Sequence, residues 1–137
     1  MPTLEPVELK AFIPAKDYQL SIQFYQDLGF TLCWGGEGEL AYFHYGDHGN
    51  HGKVGFLLQR FYVKEFAENL MMHLIVKDLD AWWANVQDKN LAEKYGVRTE
   101  PPELRPWDMT DCVICDPSGV LWRIAQEDQG EDWREPA

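Results

Sequence analysis

A chain of 137 residues suits one ordinary domain or two half-domains sharing a core, and 45% hydrophobic with 14% aromatic content is a folding composition. A formal net charge of −11 argues against nucleic acid, which needs a basic face, and against anionic membranes; it leaves neutral or cationic small molecules as partners. No apolar h-region follows the start, no apolar run approaches membrane-spanning length, and the three cysteines (Cys33, Cys112, Cys115) are an odd set, so a cytoplasmic protein with reduced thiols is expected.

In chain order, Leu9 to Pro14 reads as a short strand. Asp17 reads as an N-cap before a helix over Tyr18–Leu28, whose Ile22, Tyr25 and Leu28 fall at helical spacing, and Gly29 closes it. Strand patterns follow at Phe30–Trp34, Glu39–Tyr45 and Lys53–Gln59. The pattern then restarts. Met71–Val76 is an apolar strand, Asp78 a second N-cap, and Leu79–Asp88 a second helix with Leu79, Trp82, Trp83 and Val86 on one side. A strand near Val97–Glu100, a loop "PPELRPWD", a strand Met109–Cys115 and a last strand Val120–Ala125 complete it. Cys112 and Cys115 stand three apart within a strand and so point to opposite faces, which suits neither a redox pair nor a zinc knuckle. The acidic tail 127–137 has no periodicity, and its Trp133 is the one hint of docking.

The unit strand-helix-strand-strand-strand therefore occurs twice, over about residues 7–60 and 70–126, which predicts an α+β fold of two βαβββ modules. One helix covers one face of each small sheet. The other face is expected to form a hollow that the second module or another chain must close, and such hollows bind small ligands.

"IPAKDYQLSIQFYQDLGF" followed by "DPSGVLWRIAQ" resembles the glyoxalase, bleomycin-resistance and ring-cleaving dioxygenase superfamily, also called vicinal oxygen chelate proteins, over roughly residues 7–126. Within it, "PELRPWD" looks most like the bleomycin-resistance proteins. The resemblance implies paired modules and a homodimer with ligand grooves between chains. It also implies that enzyme relatives carry His and Glu metal ligands on the first and fourth strands of a module. Lys10 and Met71 stand at the first-strand places, and Phe56, by approximate alignment, and Arg123 at the fourth-strand places. Lysine and arginine offer a metal no lone pair, methionine is too soft for hard divalent ions, and phenylalanine cannot ligate. No metal and no cofactor are therefore expected.

Other residues carry chemistry of their own. His44, His48 and His51, with Asp47, cluster in "HYGDHGNHG" without tight metal spacing. His73, two beyond Met71, faces the hollow if the register holds, although a lone histidine on an apolar strand is more often a hydrogen-bonded core residue. Arg123 has three readings: a structural pair with Asp111 or Glu39, a clamp for a ligand's anionic group, or a stem emerging at the rim. Trp34 and Trp107, beside a glycine turn and in a proline-flanked loop, belong to no core stripe and suit stacking on planar rings or cations. The predicted ligand-binding set is thus Trp34, Phe56, Met71, His73, Trp107, Asp111 and Arg123, serving a small-molecule binding protein of bleomycin-resistance type that sequesters a planar cationic compound without turnover. The alternative is a metal-dependent lyase or dioxygenase with displaced ligands.

Overall fold

Each half of the chain folds as strand, helix and three further strands, in a computed structural model that describes residues 2–45 and 54–127. The first half runs β1 (Phe12–Pro14), α1 (Tyr18–Leu28), β2 (Thr31–Gly35), β3 (Leu40–His44) and β4 (Gly55–Gln59). A short helix, α2 (Lys64–Asn69), leads to β5 (Met71–Ile75) and α3 (Leu79–Asp88). The second half ends with α4 (Leu91–Tyr95), β6 (Thr99–Leu104), β7 (Met109–Cys115) and β8 (Leu121–Glu127). The strand orders β1-β4-β3-β2 and β5-β8-β7-β6 are equivalent, each with its first strand parallel to its fourth and the rest antiparallel. The fold is α+β, two βαβββ modules, as the repeat predicts.

Matching local chemistry starts both long helices. The Asp17 carboxylate accepts from the Leu20 N–H at 3.2 Å, and the Asp78 carboxylate from the Ala81 N–H at 3.0 Å, each satisfying a donor that the first turn leaves orphaned. Gly29 ends α1 at φ 124°, a backbone that side chains rarely adopt. Two expectations need correction. The strand at Leu9 begins only at Phe12, leaving Leu9 exposed. The loop expected at "PPELRPWD" is largely strand: β6 runs through Pro101 and Pro102 to Leu104. It tolerates two missing N–H groups because it is the sheet edge and its register shifts between Glu100 and Glu103. α2 and α4 were not predicted, since six and five residues are too short for an apolar stripe.

Alternation along the strands decides where the core lies. Ile13, Phe43, Phe56, Leu58, Ile114, Trp122 and Ile124 point to the helix side, where they join Phe24, Tyr25 and Leu28 of α1 and Leu79 and Val86 of α3 in one continuous cluster. The two modules meet there. The Trp122 ring lies 5.7 Å from that of Tyr25 and 5.5 Å from those of Phe30 and Phe56. The Tyr25 hydroxyl donates to Asp116 Oδ2 at 2.5 Å and accepts from Trp122 Nε1 at 2.9 Å, a buried bridge between modules. Because the modules share their helix-bearing faces, neither covers the opposite face of the other's sheet. Phe12, on the first sheet, and Met71 and Ile75, on the second, stand 49%, 55% and 43% exposed there.

Candidate functional site

The open face of the first sheet owes its shape to an extra residue. Leu32 pairs with Phe43 on the core side, and strict alternation would put Cys33 opposite Tyr42. The register instead shifts between Leu32 and Trp34, so Trp34 stands opposite Tyr42. Gly35, at φ 88°, ends the strand where a Cβ would lie 2.1 Å from the Leu40 carbonyl oxygen. The Trp34 ring, 53% exposed, lies 5.8 Å from that of Tyr42 at an interplanar angle of 37°. The Tyr42 hydroxyl donates to Glu8 at 2.6 Å, and Lys10 Nζ sits 5.2 Å above the Tyr42 ring and 2.9 Å from Glu8. Burial, with help from Glu8, pushes the Tyr42 hydroxyl up to about 12, so it remains a donor at neutral pH. Tyr42 and Leu57, paired across β3 and β4, form the floor.

The open face of the second sheet is built on a buried carboxylate. Arg105 to Asp108 is a turn with Pro106 at its second position and the Asp108 N–H donating to the Arg105 carbonyl at 3.1 Å. It folds the Arg105 side chain back onto Asp111, whose Oδ1 accepts from Arg105 Nε at 2.9 Å. From β8, Arg123 Nη1 reaches both Asp111 oxygens, at 3.2 and 3.3 Å. Asp111 is fully buried, and Arg105 and Arg123 are 16% and 25% exposed at their side chains. The same turn presents Trp107, 55% exposed, with its ring 6.0 Å from the Arg123 guanidinium carbon. Beside Arg123, the parallel register places His73 on β5, with Met71 and Ile75 on the same face. Of the two acids considered for Arg123, Asp111 makes the pair, while Glu39 lies 3.9 Å from Arg60.

Trp34, Met71, His73, Trp107, Asp111 and Arg123 therefore lie on the two open faces. Phe56 does not. It is 1% exposed, stacked on Phe43 and edge-on to Tyr25 in the core. The approximate alignment was one residue out, and Leu57 holds the open-face position of β4. Lys10 precedes β1 and is engaged with Glu8. His44 is 1% exposed at the end of β3, inside the strand expected over Glu39–Tyr45; Asp47, His48, His51 and Trp133 lie outside the described residues. Cys112 and Cys115 point to opposite faces and all three cysteines are free. Burial pushes the Cys112 thiol up to about 12, which leaves it an unreactive core group.

The first- and fourth-strand positions do not fit a divalent metal. Arg123 is a cation already bound to Asp111, Leu57 has no donor atom, Met71 offers a thioether, and Lys10 is charged. Among the described residues no group of three His, Cys, Asp or Glu side chains is placed to hold an ion. A cavity of about 460 Å³ lined by Tyr45, Val54, Ile75 and Trp82 adjoins residues 46–53, which are not described, and no site is assigned to it.

Sequence reading missed Tyr42, Arg105 and Leu57. Tyr42 and Leu57 were legible from alternation, since Ala41, Phe43, Phe56 and Leu58 are core residues. Arg105 was not, because only the proline turn returns it to the sheet.

Over residues 7–124 the sequence matches the family model of the Glyoxalase/Bleomycin resistance protein/Dioxygenase superfamily. The chain belongs to this superfamily. Among solved structures, this glyoxalase-like chain is similar to a bleomycin-binding protein complexed with bleomycin, at 21% identity and TM-score 0.72 over 88% of this chain and 98% of that one. It is also similar to the bleomycin-binding protein of Streptomyces verticillus complexed with copper(II)-bleomycin, at 20% identity and TM-score 0.72, covering 94% and 100%. A third, an antibiotic-binding protein from Streptomyces sp. CB03234, stands at 18% identity and TM-score 0.66, covering 93% and 100%. At these identities the likeness is one of fold. No curated protein matches the sequence at a significant level. Among the described residues no helix of this superfamily member is long and apolar enough to cross a membrane.

Proposed function

We propose that this protein is a small-molecule binding protein of bleomycin-resistance type, a cytoplasmic homodimer that sequesters a planar cationic compound without turning it over. The observation that carries the reading is the pair of half-exposed indoles, Trp34 and Trp107, one on each open sheet face, at 53% and 55%. Exposed indoles lose free energy in water and gain it by stacking on planar rings or cations. The acidic surface favours capture of a cation by raising its on-rate. Fold neighbours that bind bleomycin or another antibiotic support the same class of ligand. The open faces themselves support the dimer. A two-fold partner laying its first sheet against this chain's second would cover Phe12, Met71 and Ile75 and bring Trp34 of one copy toward Trp107 of the other.

Bleomycin should quench the tryptophan fluorescence, and Trp34→Ala or Trp107→Ala should each weaken binding by about 1–3 kcal/mol. Added salt should slow association. Failure of every cationic aromatic to quench, or alanine variants that bind like the parent, would overturn the reading. Sedimentation equilibrium at micromolar concentration should report a dimer, with an interface above about 1,000 Å². A monomer there would rule out a groove shared between chains.

A further inference from the structure

The buried carboxylate of Asp111 accepts from two guanidiniums, and one suffices to balance its charge. Arg105 is the closer partner, through Nε at 2.9 Å, and its Nη1 also meets the exposed Glu103 at 3.3 Å. Arg123 spreads one nitrogen over both oxygens at 3.2 and 3.3 Å, a longer and less directional contact. It has no second acid among the described residues. Of the two arginines Arg123 is thus the one that meets Asp111 alone, by the longer contact, on a chain whose formal net charge is −11.

A guanidinium presents five N–H donors in a rigid fork. The bonds that Arg123 makes use Nη1 alone, so its Nε–Nη2 edge has no acceptor among the described residues. That edge is the one that matches a carboxylate with two parallel bonds. Its position is fixed rather than free: Asp111 anchors Nη1, and the Trp107 ring lies against the guanidinium at 6.0 Å. On the flank away from Asp111, β5 carries the exposed His73 in register with Arg123, a further ring N–H donor, and Met71 and Ile75 give apolar walls beside it. A two-donor edge, an exposed indole and apolar neighbours on one open sheet face together select a flat ring bearing an acid group.

Resting on the reading of these faces as a ligand surface, we infer that Arg123, with Trp107 and His73, forms a subsite for an aromatic carboxylate. The acid group takes the Nε–Nη2 edge of Arg123 while the ring lies against Trp107. A ligand that is cationic where it meets Trp34 would thus be of mixed charge, with a carboxylate at the end that meets the second sheet.

Three naphthalene probes of one shape test it by calorimetric titration: 2-naphthoate, 2-naphthylmethanol and 2-naphthylmethylammonium. The parent should bind naphthoate at least about tenfold more tightly than the alcohol, since a bidentate charge-assisted pair is worth that much or more. Arg123→Gln should erase the preference while near-UV circular dichroism stays unchanged, because Arg105 still holds Asp111. Arg123→Lys should restore only part of it, since an ammonium cannot form the fork. Naphthoate that binds no more tightly than the alcohol or not at all, or a preference that survives in Arg123→Gln, overturns the subsite. If naphthoate preference holds while bleomycin fails to bind, capture of cations falls and the subsite stands; the reverse result removes the subsite alone.

Discussion

Removing Arg105 and Arg123 together, as the double methionine variant, is expected to destabilise the protein by about 3–5 kcal/mol, well beyond the sum of the single changes. Asp111 is fully buried, so a charge there with no partner carries a desolvation cost that nothing offsets. Each single variant leaves one guanidinium in place and should lose only about 1 kcal/mol, the net worth of a hydrogen bond. Methionine keeps the apolar stem over the sheet, so the measurement reads the charge rather than the packing. Urea unfolding of the parent, both single variants and the double variant closes the cycle. Additive losses would mean that each arginine acts alone and that Arg123 is not redundant to the fold, which would also remove the ground for its availability to a ligand.

Tyr25→Phe should cost about 2–5 kcal/mol, by removing one hydroxyl that serves two buried groups. Trp122 Nε1 loses its acceptor at 2.9 Å and Asp116 loses a donor at 2.5 Å, and each unsatisfied buried group costs about 1–3 kcal/mol. For a chain of 137 residues a loss of about 3 kcal/mol lowers Tm by about 10 °C. The ring is retained, so the contacts with Phe56 and Trp122 survive and no cavity opens. The pH dependence follows from the same hydroxyl. Burial, reinforced by the Asp116 carboxylate, raises it well above its ordinary 10.0. As pH climbs past 10 the unfolded chain releases that proton while the folded one keeps it, so the parent loses stability there and the variant is spared this loss. The gap between parent and variant in thermal melts should therefore narrow above pH 10. A Tm within 2 °C of the parent at pH 7, or a gap constant across that range, would show that water or another side chain satisfies Trp122 and Asp116.

Much of this protein follows from short-range chemistry and is readable along the chain. Asp17 and Asp78 begin the two helices because an aspartate oxygen reaches the third backbone N–H ahead of it, whatever the rest of the fold does. Strand alternation likewise separates Trp122 and Ile124, in the core, from Leu121 and Arg123, on the open face. The repeat of one strand-helix-strand-strand-strand unit sets the architecture because each unit has only one long helix with which to cover its sheet.

The site depended on relations between distant parts of the chain. The register shift after Leu32 turns Trp34 onto the open face, and it exists only in the pairing of β2 with β3. Had the strand kept its alternation, Cys33 would occupy that place. The turn at Pro106 brings Arg105 back to Asp111, so a residue that reads as loop becomes the partner that leaves Arg123 with an unused edge. Phe56 could be assigned to the correct face only by its pairing with Phe43, since a slip of one residue moves every side chain to the other side. The choice between a hollow enclosed within one chain and faces open to a partner was tertiary too. It was made where Tyr25, Phe56 and Trp122 meet: burying those rings between the modules removes apolar surface from water and turns the faces bearing Trp34 and Trp107 outward.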